Sequence, residues 1–181
     1  ALETGQALFP PNLNTRSHGW LATMDFDQQD RLYWPTRGWA TRLDYFDESG
    51  KDYRKLDADL RMAYPLGRVV LAGRMSYQGA LRGQLPFVNP AKLGGFLNLS
   101  GFAQGQLVGD HMRYASVRAE KIVGIFPLGL RGDMRLGIAL ETAKVGTPFT
   151  ETRRTGWLNS TALYVGGETP LGPLYLGYGQ V

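Results

Sequence analysis

Hydrophobic and polar residues alternate with period two along most of the chain, beginning at His18. In the first alternating segment one face is apolar and carries Trp20, Ala22, Met24 and Phe26. Alternation of this kind predicts a half-buried β-strand of about ten residues. A turn rich in aromatic residues follows, and its reversal contains Pro35, Arg37 and Gly38. The alternation resumes at Trp39 and predicts a second strand.

The segment after the next turn shows the pattern most clearly. One of its faces is apolar and carries Leu56, Ala58, Leu60, Met62 and Tyr64. The other face is charged and carries Lys55, Asp57, Asp59 and Arg61. Five further strands are predicted over 69–78, 115–120, 133–141, 157–166 and 173–180. On the polar faces of these strands lie Arg74, Arg118, Glu120, Arg135 and Glu141. Residues 1–16 are predicted to be a loop.

About eight antiparallel strands allow two architectures, a soluble β-sandwich and a transmembrane β-barrel. Base rates favour the sandwich, whose polar face meets solvent. A sandwich strand, however, seldom combines several charges on one face with aromatic residues at both ends. In a barrel the apolar face meets lipid, the charged face meets a wet lumen, and aromatic residues collect at the membrane boundaries. We therefore predict a barrel, with Tyr33, Trp34 and Trp39 in one aromatic girdle.

One long stretch between the fourth and fifth predicted strands breaks the pattern. Residues 92–106 read KLGGFLNLSGFAQGQ, which is too apolar for a solvated loop. Glycine permits tight backbone folds, so the apolar side chains can be pressed against another part of the protein. A loop of this length without its own secondary structure is usually functional or disordered, and its Leu and Phe content argues against disorder. We expect it to act as a plug.

The composition of the chain excludes several kinds of site and several classes of protein. The 181 residues include no cysteine, so disulfides and thiolate metal sites are excluded. No apolar run approaches the roughly 20 residues of a transmembrane helix. The net charge of +4 is modest and the basic residues do not cluster, which argues against nucleic-acid binding. The first residues, from Ala1, show no signal sequence, so we expect that one has been removed or that the chain begins within a longer protein.

A series of short motifs resembles the bacterial surface antigen superfamily of outer-membrane barrels, which includes BamA, TamA and the two-partner secretion transporters. In order along the chain the motifs are DRLYWPTRG (30–38), YPLG (64–67), LGGFLNLSGF (93–102), YASV (114–117) and PLGPLY (170–175). The resemblance covers nearly the whole chain. It implies that residues 1–181 are the C-terminal portion of one barrel domain of about sixteen strands, without its first strands and its last strand.

By this resemblance the central stretch is a loop folded into the barrel lumen. The residues that match it are Gly94, Gly95, Phe96, Leu99, Ser100, Gly101 and Phe102. Ser100 stands where the family has an arginine that contacts acidic groups on the inner wall. An arginine-dependent anchor, and insertase-like activity with it, therefore do not carry over. Glu141 lies at a matching wall position and is left to pair with a neighbour such as Arg118 or Arg135.

The Leu-Ser-Gly-Phe tip after Gly-Gly-Phe looks most like the barrel of patatin-like autotransporters such as PlpD. That likeness implies a passenger domain, a patatin-like phospholipase, outside this chain. It also implies a bacterial outer-membrane location, contact with outer-membrane lipid and insertion by the barrel assembly machinery. The turn with Pro35, Arg37 and Gly38 would then face the periplasm. The oligomeric state stays open, a homo-oligomer included, and no cofactor is implied.

Catalysis by this segment is not expected. His18, His111, Ser100 and Asp110 supply the residue types of a Ser-His-Asp set, but no nucleophile elbow surrounds the serine. Metal binding is not expected either, because Asp57 and Asp59 have a simpler role as ion-pair partners of Lys55, Arg61 and Arg74. The charged face as a whole has two interpretations. It is a hydrated network that fixes strand register, or it lines a passage for polypeptide or solutes.

Three hypotheses for function follow. The first is a barrel that anchors a passenger in the outer membrane and helps it reach the surface. The second is a general assembly or secretion pore of the same superfamily. The third is a self-contained barrel of about eight strands with enzymatic or adhesive loops. Strand number separates the third from the others, because a barrel of about eight strands is filled by its own side chains.

Overall fold

The computed structural model describes residues 18–49, 53–82, 90–125, 133–147, 156–169 and 172–181. The loop expected over 1–16 lies outside these ranges. Within these ranges ten strands follow one another: β1 (His18–Asp27), β2 (Gly38–Ser49), β3 (Tyr53–Leu66), β4 (Val69–Arg82), β5 (Ala91–Leu93), β6 (Leu107–Gly109), β7 (His111–Ile125), β8 (Asp133–Val145), β9 (Trp157–Thr169) and β10 (Gly172–Gln180). The described part of the chain contains no helix that could span a membrane.

Eight of these strands form one antiparallel sheet in the order β1-β2-β3-β4-β7-β8-β9-β10. The predicted all-β, antiparallel architecture of about eight strands is thereby confirmed. Every neighbour in the sheet except β4 and β7 is also a neighbour in sequence. Within the described ranges, β1 and β10 each pair with a strand on one side only, so they form the two edges of the sheet.

The insertion between β4 and β7 contains the central segment, which we define as residues 92–106. Its ends are joined by a small two-stranded sheet, in which Ala91 pairs with Gly109 and Leu93 with Leu107. The sequence predicted an irregular loop here, because strands of three residues are too short to show alternation. We call the face of the large sheet that this segment covers the inner face, and the opposite face the outer face.

The two faces differ in chemistry, as the alternation predicts. In β8 the outer face carries the exposed side chains of Leu136, Ile138 and Leu140, whereas the inner face carries Arg135 and Glu141, both buried. The same division continues through β9, where Leu163 is exposed and Ser160 is buried. The hydrophobic core therefore lies between the inner face and the segments that cover it.

Candidate functional site: the covered inner face

The apolar side chains of the central segment are buried against the inner face. Leu93 and Leu99 are almost completely inaccessible to solvent, and Phe102 is 6% exposed. They form one cluster with apolar residues of β7, β8 and β9, among them Met112, Tyr114, Ala143 and Leu158. The burial of several large side chains stabilises the docked position by the hydrophobic effect. The segment is thus a packed part of the fold.

Glycines and two strained leucines shape the segment. Gly94 and Gly95 have φ angles of +117° and +110°, which favour glycine, and a side chain at Gly94 would meet the carbonyl of Ala103. Leu97 and Leu99 also have positive φ angles, 56° and 76°. Such conformations are uncommon for residues other than glycine and cost free energy. At Leu99 the unusual backbone accompanies a specific contact with the sheet.

That contact is made to the carboxylate of Glu141 in β8, which is 4% exposed. The backbone N–H of Ser100 donates to Oε2 at 2.6 Å, and the N–H of Leu99 donates to Oε1 at 3.2 Å. The hydroxyl of Tyr114 also donates to Oε1, at 2.7 Å. Successive backbone N–H groups that converge on one anion form a nest, and bonds to a charged acceptor are the stronger kind. The contacts of Glu141 with the tip therefore involve no arginine, and the central segment's contact with Arg74 is made separately, by Oδ1 of Asn98 at 3.4 Å.

Neighbouring residues complete this anchor. The N–H of Gly101 donates to Oγ of Ser160 at 2.9 Å, and the hydroxyl of Tyr114 lies 3.1 Å from the carbonyl oxygen of Leu97. The hydroxyl oxygen of Ser100 accepts a hydrogen bond from the N–H of Leu97 at 2.9 Å, which closes the tip on itself. The expected pairing of Glu141 with Arg118 or Arg135 is not what the structure shows, because both arginines contact Glu120.

The connection between β1 and β2, residues 28–37, covers another part of the inner face. Trp34 is only 2% exposed, and its ring stacks on Tyr175 with the centroids 4.9 Å apart. The expectation that Trp34 belongs to an exposed aromatic girdle is therefore wrong. Tyr33 and Trp39 are 48% and 43% exposed. Period-two alternation does not apply inside a turn, so it could not reveal which of these rings points inward.

Arg135 in β8 holds this turn and is completely buried. Its guanidinium donates to the carbonyl oxygens of Trp34 and Pro35 at 3.0 and 3.3 Å and to Oγ1 of Thr36 at 3.0 Å. It also pairs with Glu120 at 3.0 Å. The planar fork of arginine suits such a set of acceptors, whereas lysine offers a single point charge. Glu120 in turn accepts a hydrogen bond from the hydroxyl of Tyr164 at 2.8 Å.

Hydrogen bonds between a carboxylate side chain and the backbone also close the turn. Oδ1 of Asp30 accepts the N–H groups of Thr36 and Arg37 at 2.7 and 3.0 Å. Burial alone would raise the pKa of Asp30, but these backbone donors outweigh it and lower the pKa below its ordinary value. Gly38 starts β2 with a φ of +109°, and a side chain there would meet the backbone of Gln28. Pro35, Arg37 and Gly38 thus lie at the reversal, as predicted.

Aromatic rings join the turn to the central segment. Phe96 packs edge-on against Tyr164 and Tyr175, with both centroid distances at 5.7 Å, and Trp34 contacts the same two tyrosines. Glycines make room for these rings. A methyl group at Gly177 would lie 2.6 Å from the Phe96 ring, and one at Gly137 would overlap the Tyr164 ring. The two inserted segments therefore meet at one aromatic junction.

The structure places all the predicted wall residues on the inner face, in neighbouring strands. Asp59 forms salt bridges with Arg61 at 2.6 Å and with Arg74 at 2.7 Å. Lys55 forms a salt bridge with Asp57 at 3.0 Å. The predicted loop residues from Gly94 to Phe102 lie together above them. Whether this face lines a lumen stays a prediction.

The alternation pattern did not single out several residues that the site uses: Tyr114, Ser160, Tyr164, Tyr175 and Thr36. The positions of the two tyrosines in β7 and β9 could have been found from their alternation with buried neighbours.

The serine, histidine and aspartate residues considered for a Ser-His-Asp set make other contacts in the structure. Ser100 bonds to Leu97 and Glu141, and Nδ1 of His111 lies 2.7 Å from Oδ1 of Asp110. His18 lies at the start of β1. Among the described residues there is no group of three or more His, Asp or Glu side chains that could hold a metal ion.

Comparisons with known proteins bear on the fold. No protein-family model matches the sequence, and no curated protein matches it. Among solved structures, the crystal structure of BamA from Haemophilus ducreyi lacking POTRA domains 1–3 is similar, with a TM-score of 0.73 at 17% sequence identity. The match covers 96% of this chain and 42% of the BamA chain. At this identity the likeness shows the fold, and the chain has the fold of a segment of a BamA-like β-barrel.

Proposed function

We propose that this chain is part of an outer-membrane β-barrel that anchors a passenger domain and helps it reach the cell surface, with the central segment in the lumen. The observation that carries the proposal is the contrast between the faces of the sheet. The inner face carries buried charged side chains beside small apolar ones and is covered by two inserted segments. The outer face exposes large apolar side chains such as Leu136, Leu163 and Leu176, which are 54%, 59% and 75% exposed. Lipid suits such a face.

The covered inner face also supports a barrel larger than eight strands. A closed barrel of about eight strands has an interior just filled by its own wall side chains. Here the inner face receives in addition Leu99, Phe102 and Trp34 from two separate segments. Within the described ranges, β1 and β10 each lack a partner strand on one side, and lipid does not tolerate unpaired backbone groups. Further strands, about sixteen in all, would satisfy both edges and enclose the inserted segments.

The mode of anchoring favours a passenger anchor over a general assembly pore. The tip of the central segment is held by backbone N–H groups on Glu141, and its apolar side chains are part of the core. A segment packed in this way is a fixed part of the structure.

We propose that outer-membrane lipid surrounds the barrel and that the barrel assembly machinery inserts it. We propose a patatin-like phospholipase as the passenger domain of the barrel.

An outer-face charge tests the membrane part of this proposal. Ile138 lies near the middle of β8 and is 43% exposed. In the full-length protein, Ile138→Lys should strongly reduce the heat-modifiable, urea-resistant form in the outer membrane, because a lysine that faces lipid near the bilayer midplane costs roughly 2–4 kcal/mol. Ile138→Val is the matched control and should insert normally. Normal insertion of Ile138→Lys would contradict a lipid-facing outer face.

Passenger display is tested separately. Protease added to intact cells should cleave the domain that precedes the barrel, while the barrel stays protected. If the inserted protein carries no domain exposed at the surface, the anchoring role is wrong although the barrel is right.

A further inference from the structure

A cavity of about 300 Å³ lies on the inner face between the two inserted segments. The turn contributes Tyr33 and Pro35 to its lining, and the central segment contributes Phe96 and Asn98. Three guanidinium groups from β3, β4 and β7 also line it: Arg61, Arg74 and Arg118. The walls thus combine apolar rings with concentrated positive charge.

The carboxylates near the cavity do not balance these arginines. Arg61 and Arg74 share the single carboxylate of Asp59. Glu120 is shared in the same way, by Arg135 at 3.0 Å and by Arg118 at 3.6 Å. These four guanidinium groups contact two carboxylates. The buried carboxylate of Glu141, which binds the hydroxyl of Tyr114 beside Arg74, is a third negative charge nearby, so the surplus is one positive charge. Partly buried cations attract an anion more strongly than cations in open water.

Arg118 is the arginine best placed to receive a ligand. Its Nη1 lies 3.6 Å from Oε1 of Glu120, which is longer than a good hydrogen bond, while Glu120 makes shorter contacts with Arg135 and Tyr164. Its side chain is 22% exposed. Arg61 and Arg74 both pair with Asp59, but the Arg61 side chain is 55% exposed and that of Arg74 is 31% exposed. Arg74 also lies over the ring of Tyr114 and donates to Asn98 at 3.4 Å, so Arg61 is the freer of the two.

We propose that this cavity binds an acidic side chain of a polypeptide, with Arg118 and Arg61 as its main contacts. Arginine forks match carboxylates, and the rings of Tyr33, Phe96 and Tyr175 suit apolar atoms next to the charge. The volume lies at the lower end of that of ligand sites, so it accommodates one or two side chains and not a folded domain. The inference rests on the proposed function, in which the barrel helps a passenger polypeptide reach the cell surface and its outer face meets lipid.

Peptide binding to the full-length protein in detergent tests this directly. A fluorescent peptide that alternates Glu with Phe is titrated, and its anisotropy gives the affinity. Arg118→Gln and Arg61→Gln should each weaken binding about tenfold, because each removes a charged hydrogen-bond donor. Arg113→Gln is the matched control, since Arg113 is exposed on the outer face of β7, and it should bind as the wild type does.

Several outcomes would overturn the inference. One is equal binding of the same peptide with Lys in place of Glu, and another is unchanged affinity in both inner-face variants. A third is saturation by inorganic phosphate with no binding of the acidic peptide, which would make this a phosphate site. Heat-modifiable migration on gels is measured for every variant, and if Arg118→Gln does not fold, the more exposed Arg61 decides the result. A wild-type protein that inserts but does not bind the peptide overturns this inference alone, whereas failure to insert overturns the proposed function.

Discussion

Glu141 is the residue on which the docked segment depends most, because one carboxylate accepts two backbone N–H groups and a tyrosine hydroxyl. Glu141→Gln keeps the size but removes the charge, and an amide cannot accept all three donors. Hydrogen bonds to charged groups are worth roughly 1.5–3 kcal/mol and neutral ones roughly half as much. We therefore expect the amides of Leu99 and Ser100 to exchange with solvent about ten- to a hundredfold faster in the variant.

Hydrogen-exchange mass spectrometry on the peptide that spans the tip measures this effect. Asp25→Asn is the control, because Asp25 is an exposed carboxylate on β1 and lies 3.9 Å from Arg42. It should leave the tip unchanged. Equal exchange in Glu141→Gln and the wild type would show that packing alone holds the segment.

Gly137 is a second residue that decides local packing, because the absence of a side chain leaves room for the ring of Tyr164. Gly137→Ala forces a methyl group into the ring of Tyr164, and overpacking of this kind costs roughly 1–3 kcal/mol. Gly73→Ala is the matched control, because the nearest atom to its new methyl group lies 3.9 Å away. Urea unfolding followed by gel migration should show a lower midpoint for the first variant only. A similar midpoint for both would mean that Tyr164 moves aside freely.

At the residue scale, sequence reasoning placed charges on the correct face but not their partners. Alternation put Glu141, Glu120 and Arg135 on the polar face, which the structure shows. It could not pair them, because the donors to Glu141 are backbone groups 41 and 42 residues away. Backbone N–H groups are present at every residue except proline, so they leave no sequence signal. The prediction for Trp34 was wrong for a related reason. Alternation does not apply inside a turn, so the sequence does not show which aromatic ring of the turn points inward.

At the element scale, the turn over residues 28–37 behaves as a second inserted segment, fixed by Arg135. Arg135→Met removes its four polar contacts and leaves the buried Glu120 with a weaker partner. Breaking a buried pair in this way costs roughly 3–5 kcal/mol, so we expect a large loss of stability in urea. The double variant Arg135→Met, Glu120→Gln should recover part of the loss. No recovery would show that the carbonyl contacts, and not the ion pair, dominate.

Asp30 makes the same turn sensitive to acid. Its pKa is lowered in the folded protein, so its contribution is complete above the pKa of the unfolded chain and is lost as pH falls through the folded pKa. We expect Asp30→Asn to reduce protection of the Thr36 and Arg37 amides at pH 7. The difference from the wild type should vanish in strong acid. A difference that persists there would assign the effect to the amide side chain instead of the lost charge.

The strands were the elements that sequence predicted best. Alternation identified all eight strands of the large sheet, and β8 begins at Asp133, where the polar face was expected to start. Strand ends were predicted too short, as in β7, which runs from His111 to Ile125. The pairing of β5 with β6 escaped prediction because three residues carry no measurable period.

At the scale of the whole molecule, two segments enter the inner face from opposite ends of the sheet and meet at Phe96, Tyr164, Tyr175 and Trp34. The turn over 28–37 lies at the end shared with the β3–β4 turn, and the central segment lies at the other end. The cavity lined by three arginines lies between these two segments.

In the proposed function, this chain forms part of a larger closed barrel with the central segment inside it. An experimental structure of the full-length protein in a lipid nanodisc tests this most directly. We predict about sixteen strands, additional strands paired with both β1 and β10, and Leu99 and Phe102 within the lumen beside Glu141. A barrel of about eight strands in which β1 pairs with β10 and the central segment lies outside would contradict it.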